Sequence, residues 1–176
     1  MYYFPNENHE YILFLDTEFD GNVLIQFCGL LFRKVKDEHY VIYRSMNSYI
    51  NYAVSYQFQK HTGISRNFLE NNGVRLFDVQ QQIVEDLLVD VSPADLLIVG
   101  HAIQNDFRIL MLNNIDIECD EVYCTYENAK RILKRNKELK LEDLCLECGI
   151  YPANEHNAYF DTWFTVGVYD FLKNME

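Results

Sequence analysis

The 176-residue chain predicts an α/β domain in which a mixed sheet is covered by helices. Three observations carry that expectation. Tyr11–Leu15 is an almost wholly apolar run followed by two more strand-like segments, Leu96–Gly100 is a second apolar run, and helical apolar spacing fills the segments around it. Strands first, then helices alternating with strands, is the order of a sheet packed against helices.

Taken in order, Tyr11–Leu15 reads as a strand buried on both faces. Val23 to Phe32 is the next, with Gly29 marking a bulge or a close approach. His39–Tyr43 is the third, reached through a polar turn at Lys34 to Glu38. From Ala53 to about Leu69 the pattern is helical or irregular and breaks at Thr62-Gly63. Phe77 to Val89 carries apolar residues at helical spacing, and Ser92-Pro93-Ala94 interrupts before the fourth strand, Leu96–Gly100. Asp106 to Leu112 reads as helix and Glu121–Tyr123 as a short fifth strand. Thr125 to Leu133 and Leu139 to Cys148 read as helices, the second stopped by Gly149. Ala158 to Leu172 reads as a terminal helix with its apolar stripe at Phe160, Phe164, Gly167/Val168 and Phe171.

Composition narrows the class. With 49% apolar and 15% aromatic residues and only 3 Pro and 7 Gly, the chain is neither disordered nor low in complexity. Its length fits one domain over residues 1–176. The N-terminus lacks the basic start and apolar core of a secretory signal, and no apolar stretch reaches the length of a membrane span. Five cysteines, an odd number, fit a reducing cytoplasm better than a disulfide framework. Fifteen Lys and Arg against 27 Asp and Glu give a net charge of −12, the wrong sign for gripping a polyanion with the whole surface. Metal ligation offsets part of that charge. The positive charge is also uneven, with Lys130, Arg131, Lys134, Arg135, Lys137 and Lys140 close together. That stretch reads first as a solvated helix face.

Three segments place carboxylates where a buried element meets its loop. In Asp16-Thr17-Glu18 the two acids project from the same face of a strand. Side by side at the end of a buried strand they repel, and each is costly to desolvate. A hard divalent cation with a preference for oxygen resolves that conflict; the ordinary alternative is a solvated acidic turn. In the second segment, Gly100-His101 leads into a helix with Asp106 in its first turn, where an acid is also favoured by the helix dipole. In the third, His156 stands five positions before Asp161 at the opening of a helix. Imidazole titrates near neutrality and suits the acceptance of a proton from water, although a lone surface His is the commoner case.

Together, Asp16-Thr17-Glu18, Gly100-His101 through Asp106, and His156 through Asp161 resemble, in order and spacing, the three motifs of the DEDDh family of 3′→5′ exonucleases. That family includes polymerase proofreading subunits and small RNA-trimming nucleases. The sister group with Tyr four positions before the last Asp is excluded, because Asn157 stands there. His61-Thr62-Gly63-Ile64 and Leu141 to Ile150 resemble accessory segments of the family, whereas Cys124-Thr125 departs from a frequent Asp-Thr pair.

The resemblance implies a ribonuclease H-like fold, a mixed five-stranded sheet flanked by helices. It implies that Asp16, Glu18, Asp106 and Asp161 bind two Mg²⁺ or Mn²⁺ ions about 3.5–4 Å apart, with His156 as general base. The substrate would be the 3′ end of a single-stranded nucleic acid, DNA or RNA, and the product a nucleoside 5′-monophosphate. Thr17 and Phe19 are the residues it places at the substrate; Phe19 suits either stacking on the terminal base or core packing. Homodimers occur among the small members, and the chain ending soon after the last helix favours a free-standing enzyme. A non-catalytic binding module on the same fold is the competing reading. The converging acids argue against it, since a pure binder has no need of them. Other signals carry less: Cys145-x-x-Cys148 has ligand-like spacing but sits among core-like leucines, and there is neither a Gly-rich phosphate loop nor a nucleophile elbow.

Overall fold

The computed structural model describes residues 1–135, 139–152 and 156–176. Lys137 of the basic stretch and Glu155 beside His156 lie outside the described residues. Six strands form one mixed sheet: β1 (Tyr2–Tyr3), β2 (Tyr11–Asp20), β3 (Val23–Lys36), β4 (His39–Tyr49), β5 (Leu96–Gly100) and β6 (Glu121–Cys124), in the order β1-β4-β3-β2-β5-β6. The helices are α1 (Tyr56–Thr62), α2 (Arg66–Asn72), α3 (Leu76–Gln81, continuing as a π-helical turn, Gln82–Leu87), α4 (Gln104–Leu112), α5 (Thr125–Ile132), α6 (Leu141–Glu147) and α7 (Ala158–Lys173).

The expected count of five strands is thus corrected to six. The additional β1 is two residues long and pairs with the edge of β4 through Tyr2↔Tyr40 and Tyr3↔His39. Two residues are too few to show a period of two. The other strands are where the sequence puts them; β5 keeps its expected bounds, and β2, β3, β4 and β6 run longer. β2 continues past its apolar run because β3 pairs with it residue for residue from Tyr11↔Arg33 to Glu18↔Gln26. On the other side β2 pairs in parallel with β5, but only from Tyr11↔Leu96 to Phe14↔Val99.

Alternation along β2 sends Leu13 and Leu15 into one core, with Ile109 and Leu110 of α4 and Val79 of α3. Ile12 and Phe14 enter a second core with Val166, Tyr169 and Leu172 of α7. Phe14 meets Phe32 and Tyr169 edge-on, with ring centroids 5.2 and 5.3 Å apart. Each fully buried side chain of this size contributes about 1.5–3 kcal/mol. Gly29 makes a close approach, since a Cβ there would press on Leu87 at 2.9 Å; no register shift falls at it. Gly63 ends α1 in the left-handed region at φ 73.

The stripe expected on α7 is displaced. Its buried residues are Ala158, Thr162, Thr165, Val166, Val168, Tyr169 and Leu172, while Phe160, Phe164 and Phe171 are only partly buried. The cause is visible in the two threonines. Thr162 donates to the Ala158 carbonyl at 2.6 Å and Thr165 to that of Asp161 at 2.8 Å, so both hydroxyls are satisfied within the helix and the methyls pack inward. A hydropathy pattern counts them as polar. Among the described residues no helix is long and apolar enough to cross a membrane.

Candidate active site

Where β5 ends at Gly100, the edge of β2 loses its parallel partner, and the carboxylate of Asp106 takes over. Asp106, in the first turn of α4, accepts from the Thr17 backbone N–H at 2.9 Å and from its hydroxyl at 2.7 Å. Thr17 is only 6% exposed, so this residue, expected at the substrate, reaches the site through Asp106. Asp16 and Glu18 alternate to the opposite face, toward α7. There Asp161 joins them. Asp16, Glu18 and Asp161, all half-buried, each offer a carboxylate oxygen within 4.8 Å of the others. Asp106 stands behind this triad and raises the proton affinity of both Asp16 and Glu18 electrostatically.

What sets Asp161 over β2 is a residue the sequence reading passed over. Gln26, fully buried in β3 opposite Glu18, accepts from the Ala158 N–H at 3.2 Å and donates to Asn157 at 3.3 Å and Asn47 at 2.8 Å. Asn157 is the N-cap of α7 and accepts from the Tyr159 N–H at 3.1 Å. The helix is therefore clamped to the sheet at the turn that carries Asp161. A lone Gln inside the apolar run Val23–Phe32 was the signal available. Gln26→Leu leaves the Ala158 N–H without its acceptor and is expected to cost about 1–3 kcal/mol in urea unfolding; an unchanged midpoint would mean the clamp is not structural.

The acids are held in an environment that resists ionisation. Burial, then repulsion by Asp106, Glu18 and Asp161, pushes Asp16 well above the usual carboxylate range. Burial, then repulsion by Asp161 and Asp106, pushes Glu18 up to about 8. Burial lifts Asp106 to about 7 even though the Thr17 hydrogen bonds favour its charged form. Three carboxylates gathered in one place, with oxygen donors only, fit a hard divalent cation such as Mg²⁺ or Mn²⁺.

His156 is exposed, has φ 60, and stacks on His61 with ring centroids 3.8 Å apart. Burial of its ring and the neighbouring His61 hold its pKa below the ordinary imidazole range. With Asp161, His101 and Lys140 it lines a cleft of about 340 Å³. A second cleft, of about 640 Å³, is lined by Phe19, Asp20, Lys60 and His61. The Phe19 ring packs on the core and lies 5.7 Å from the Arg108 guanidinium, so it is both a core residue and a cleft wall. His101 is half-buried and held between Thr125 Oγ1 at 3.0 Å and the Leu139 carbonyl at 3.1 Å. Burial depresses its pKa to about 4, leaving it a neutral strut that joins β5 to the segment before α6.

The basic stretch is largely engaged elsewhere. Arg131 pairs with Glu176 at 2.5 Å, Arg135 with Glu147, Lys140 with Glu142 at 3.4 Å, and Lys130 lies over the Tyr126 ring. Such exposed pairs describe a solvated surface, in which only Lys130 and Arg131 lie on a helix, α5. All five cysteines are free, and among the described residues none joins a cluster able to hold a metal.

Acids on a central strand and a packed helix gather where parallel strands β2 and β5 end, a cluster that could hold a divalent cation at the carboxyl ends of strands. A family model described as an exonuclease, RNase_T, matches residues 14–169. The chain belongs to this exonuclease family. Solved structures agree on the fold. Cell-death related nuclease 4 superposes with a TM-score of 0.72 at 17% identity, over 95% of this chain and 64% of that one. E. coli exonuclease I, in complex with a dT13 oligonucleotide, gives 0.71 at 18% identity, over 93% and 41%. The 3′-exonuclease described in recognition of the 3′ end of a histone mRNA stem-loop gives 0.73 at 15% identity, over 97% and 66%. The chain thus spans between about two fifths and two thirds of the length of these proteins. Among curated protein sequences there is no match.

Proposed function

We propose that this protein hydrolyses phosphodiester bonds stepwise from the 3′ end of single-stranded nucleic acid, releasing nucleoside 5′-monophosphates. The observation that carries the reading is the convergence of Asp16, Glu18 and Asp161, with Asp106 behind them and His156 on a cleft shared with Asp161. Asp16, Glu18, Asp106 and Asp161 would hold two Mg²⁺ or Mn²⁺ ions, which when bound supply an acidified water and offset charge on the phosphoryl and leaving oxygens.

The protein's own groups do the rest. An imidazole nitrogen of His156 accepts the proton of the attacking water, a task suited to a ring held neutral near pH 7. The water oxygen forms the new bond to phosphorus, and the bond from phosphorus to the 3′ oxygen of the preceding nucleotide breaks. That oxygen leaves with the bonding electron pair and takes a proton from solvent to become a new 3′-hydroxyl, while the protonated His156 returns its proton to solvent. Phe19 walls the second cleft and offers a ring to the terminal base. Thr17 holds Asp106 in register with the metal-binding strand.

The structurally similar proteins include one bound to DNA and one described on RNA, so both polymers belong in the test. Matched 5′-labelled single-stranded DNA and RNA, incubated with Mg²⁺, Mn²⁺ or EDTA, are expected to shorten stepwise from the 3′ end only where metal is present. The faster polymer identifies the substrate. Absence of shortening on either polymer in Mn²⁺ would overturn the reading in favour of a binding module.

A further inference from the structure

Two imidazoles meet beside the carboxylates, and the reaction above uses only one. His61, in the last turn of α1, lies against His156 with ring planes 29° apart and centroids at 3.8 Å, which is face-to-face contact. The rings arrive from separate supports. α1 is tied to the metal-binding strand by Asp20, which accepts from the Ser55 N–H at 2.6 Å and from its hydroxyl at 3.0 Å. His156 directly precedes the N-cap of α7. The pair divides the two clefts, His156 facing the one that holds Asp161 and His61 the one that holds Phe19.

His156 needs such a support. It is exposed, and its backbone is in the left-handed region. An imidazole left free to change rotamer spends little time where a proton can be passed. Small displacements of a reacting group lower rates steeply.

We infer that His61 is a positioning residue for hydrolysis, a flat platform that holds the His156 imidazole at the cleft it shares with Asp161. The inference rests on His156 being the proton acceptor. It requires a ring at position 61 and not a proton or a charge. His61→Phe keeps the flat face, and His61→Ala and His61→Asn remove it. Position 61 is exposed, and the caps of α1 at Ser55 and Gly63 are untouched, so all three variants should fold.

The expected result is a fall of about tenfold in kcat for His61→Ala and His61→Asn, with KM little changed, and recovery of most of the rate in His61→Phe. The second readout needs no turnover. In metal-free protein, the carbon-bound proton resonances of the His156 ring, assigned by their loss in His156→Asn, should move when the facing ring is removed in His61→Ala. They should stay shielded in His61→Phe. Wild-type kcat in His61→Ala, or a His61→Phe variant as slow as His61→Ala, would overturn the positioning role alone. Resonances indifferent to His61→Ala would overturn the stack itself. A wild-type protein that never shortens an oligonucleotide, while the resonances do respond, would instead overturn the exonuclease reading and the hydrolytic role with it.

Discussion

Asp16→Asn is expected to do two opposite things: abolish hydrolysis and make the metal-free protein more stable. Asp16 is the acid most strongly pressed by its neighbours, with Asp106, Glu18 and Asp161 all opposing its charge in a buried place. On the proposed reading it is a ligand of cations that would contribute several kcal/mol to charge stabilisation in the transition state. Its loss should therefore lower kcat by about 10³-fold or more. Without metal, the same carboxylate is a source of repulsion that the neutral amide removes. A gain on the order of 1 kcal/mol raises Tm by about 2–4 °C in a domain of this size. The pH dependence follows in sign. Glu18 titrates near 8 in the folded protein against an ordinary 4.5, so the folded state holds more protons than the unfolded one between those values. Stability of the metal-free protein therefore falls as pH rises from about 4.5 to about 8. Mg²⁺ or Mn²⁺ should reverse that loss, and less so in Asp16→Asn. Thermal melts with and without metal across this range check the argument; a variant that still cuts, or melts lower than wild type without metal, would contradict it.

His156→Asn is expected to separate chemistry from metal binding. The amide cannot take a proton from water, so the rate should fall about 10²–10⁴-fold. All four carboxylates stay in place, and the metal-induced rise in Tm should match that of the wild type. Burial first, then His61, disfavour the protonated imidazole, with Glu142 opposing and Lys140 assisting. The acidic limb of kcat/KM that belongs to this ring should lie below the usual imidazole value in the wild type and be missing from the variant. A variant with the wild-type rate would remove His156 from the mechanism, and one without a metal-dependent Tm shift would place it among the ligands.

Much of the site was legible because its carboxylates follow apolar runs. A strand such as Tyr11–Leu15 has a period and a composition, and Asp16 and Glu18 stand out at its end. What stayed hidden is what depends on partners remote in the chain. Gln26 and Thr17 look unremarkable in sequence, yet one clamps α7 and the other fixes Asp106 across separations of 132 and 89 residues. Two threonines behaving as apolar residues displaced the stripe on α7, and the two-residue β1 had no pattern to show. The role expected of the Lys130 to Lys140 stretch as an ordinary surface matches its pairing with Glu176, Glu147 and Glu142.

The clamp between Gln26 and the start of α7 also bears on when the protein becomes active as it is made. The strand with Asp16 and Glu18 and the helix with Asp106 leave the ribosome before His156, Asp161 and the helix that seats them. Chains are made from the N-terminal end at about 5–20 residues per second, and a domain folds as a unit. Until the last helix emerges and docks on Gln26, the nascent chain has two ligand segments but neither the third carboxylate of the triad nor a proton acceptor. On the proposed reading, the full set of site residues comes together only once this last helix has docked.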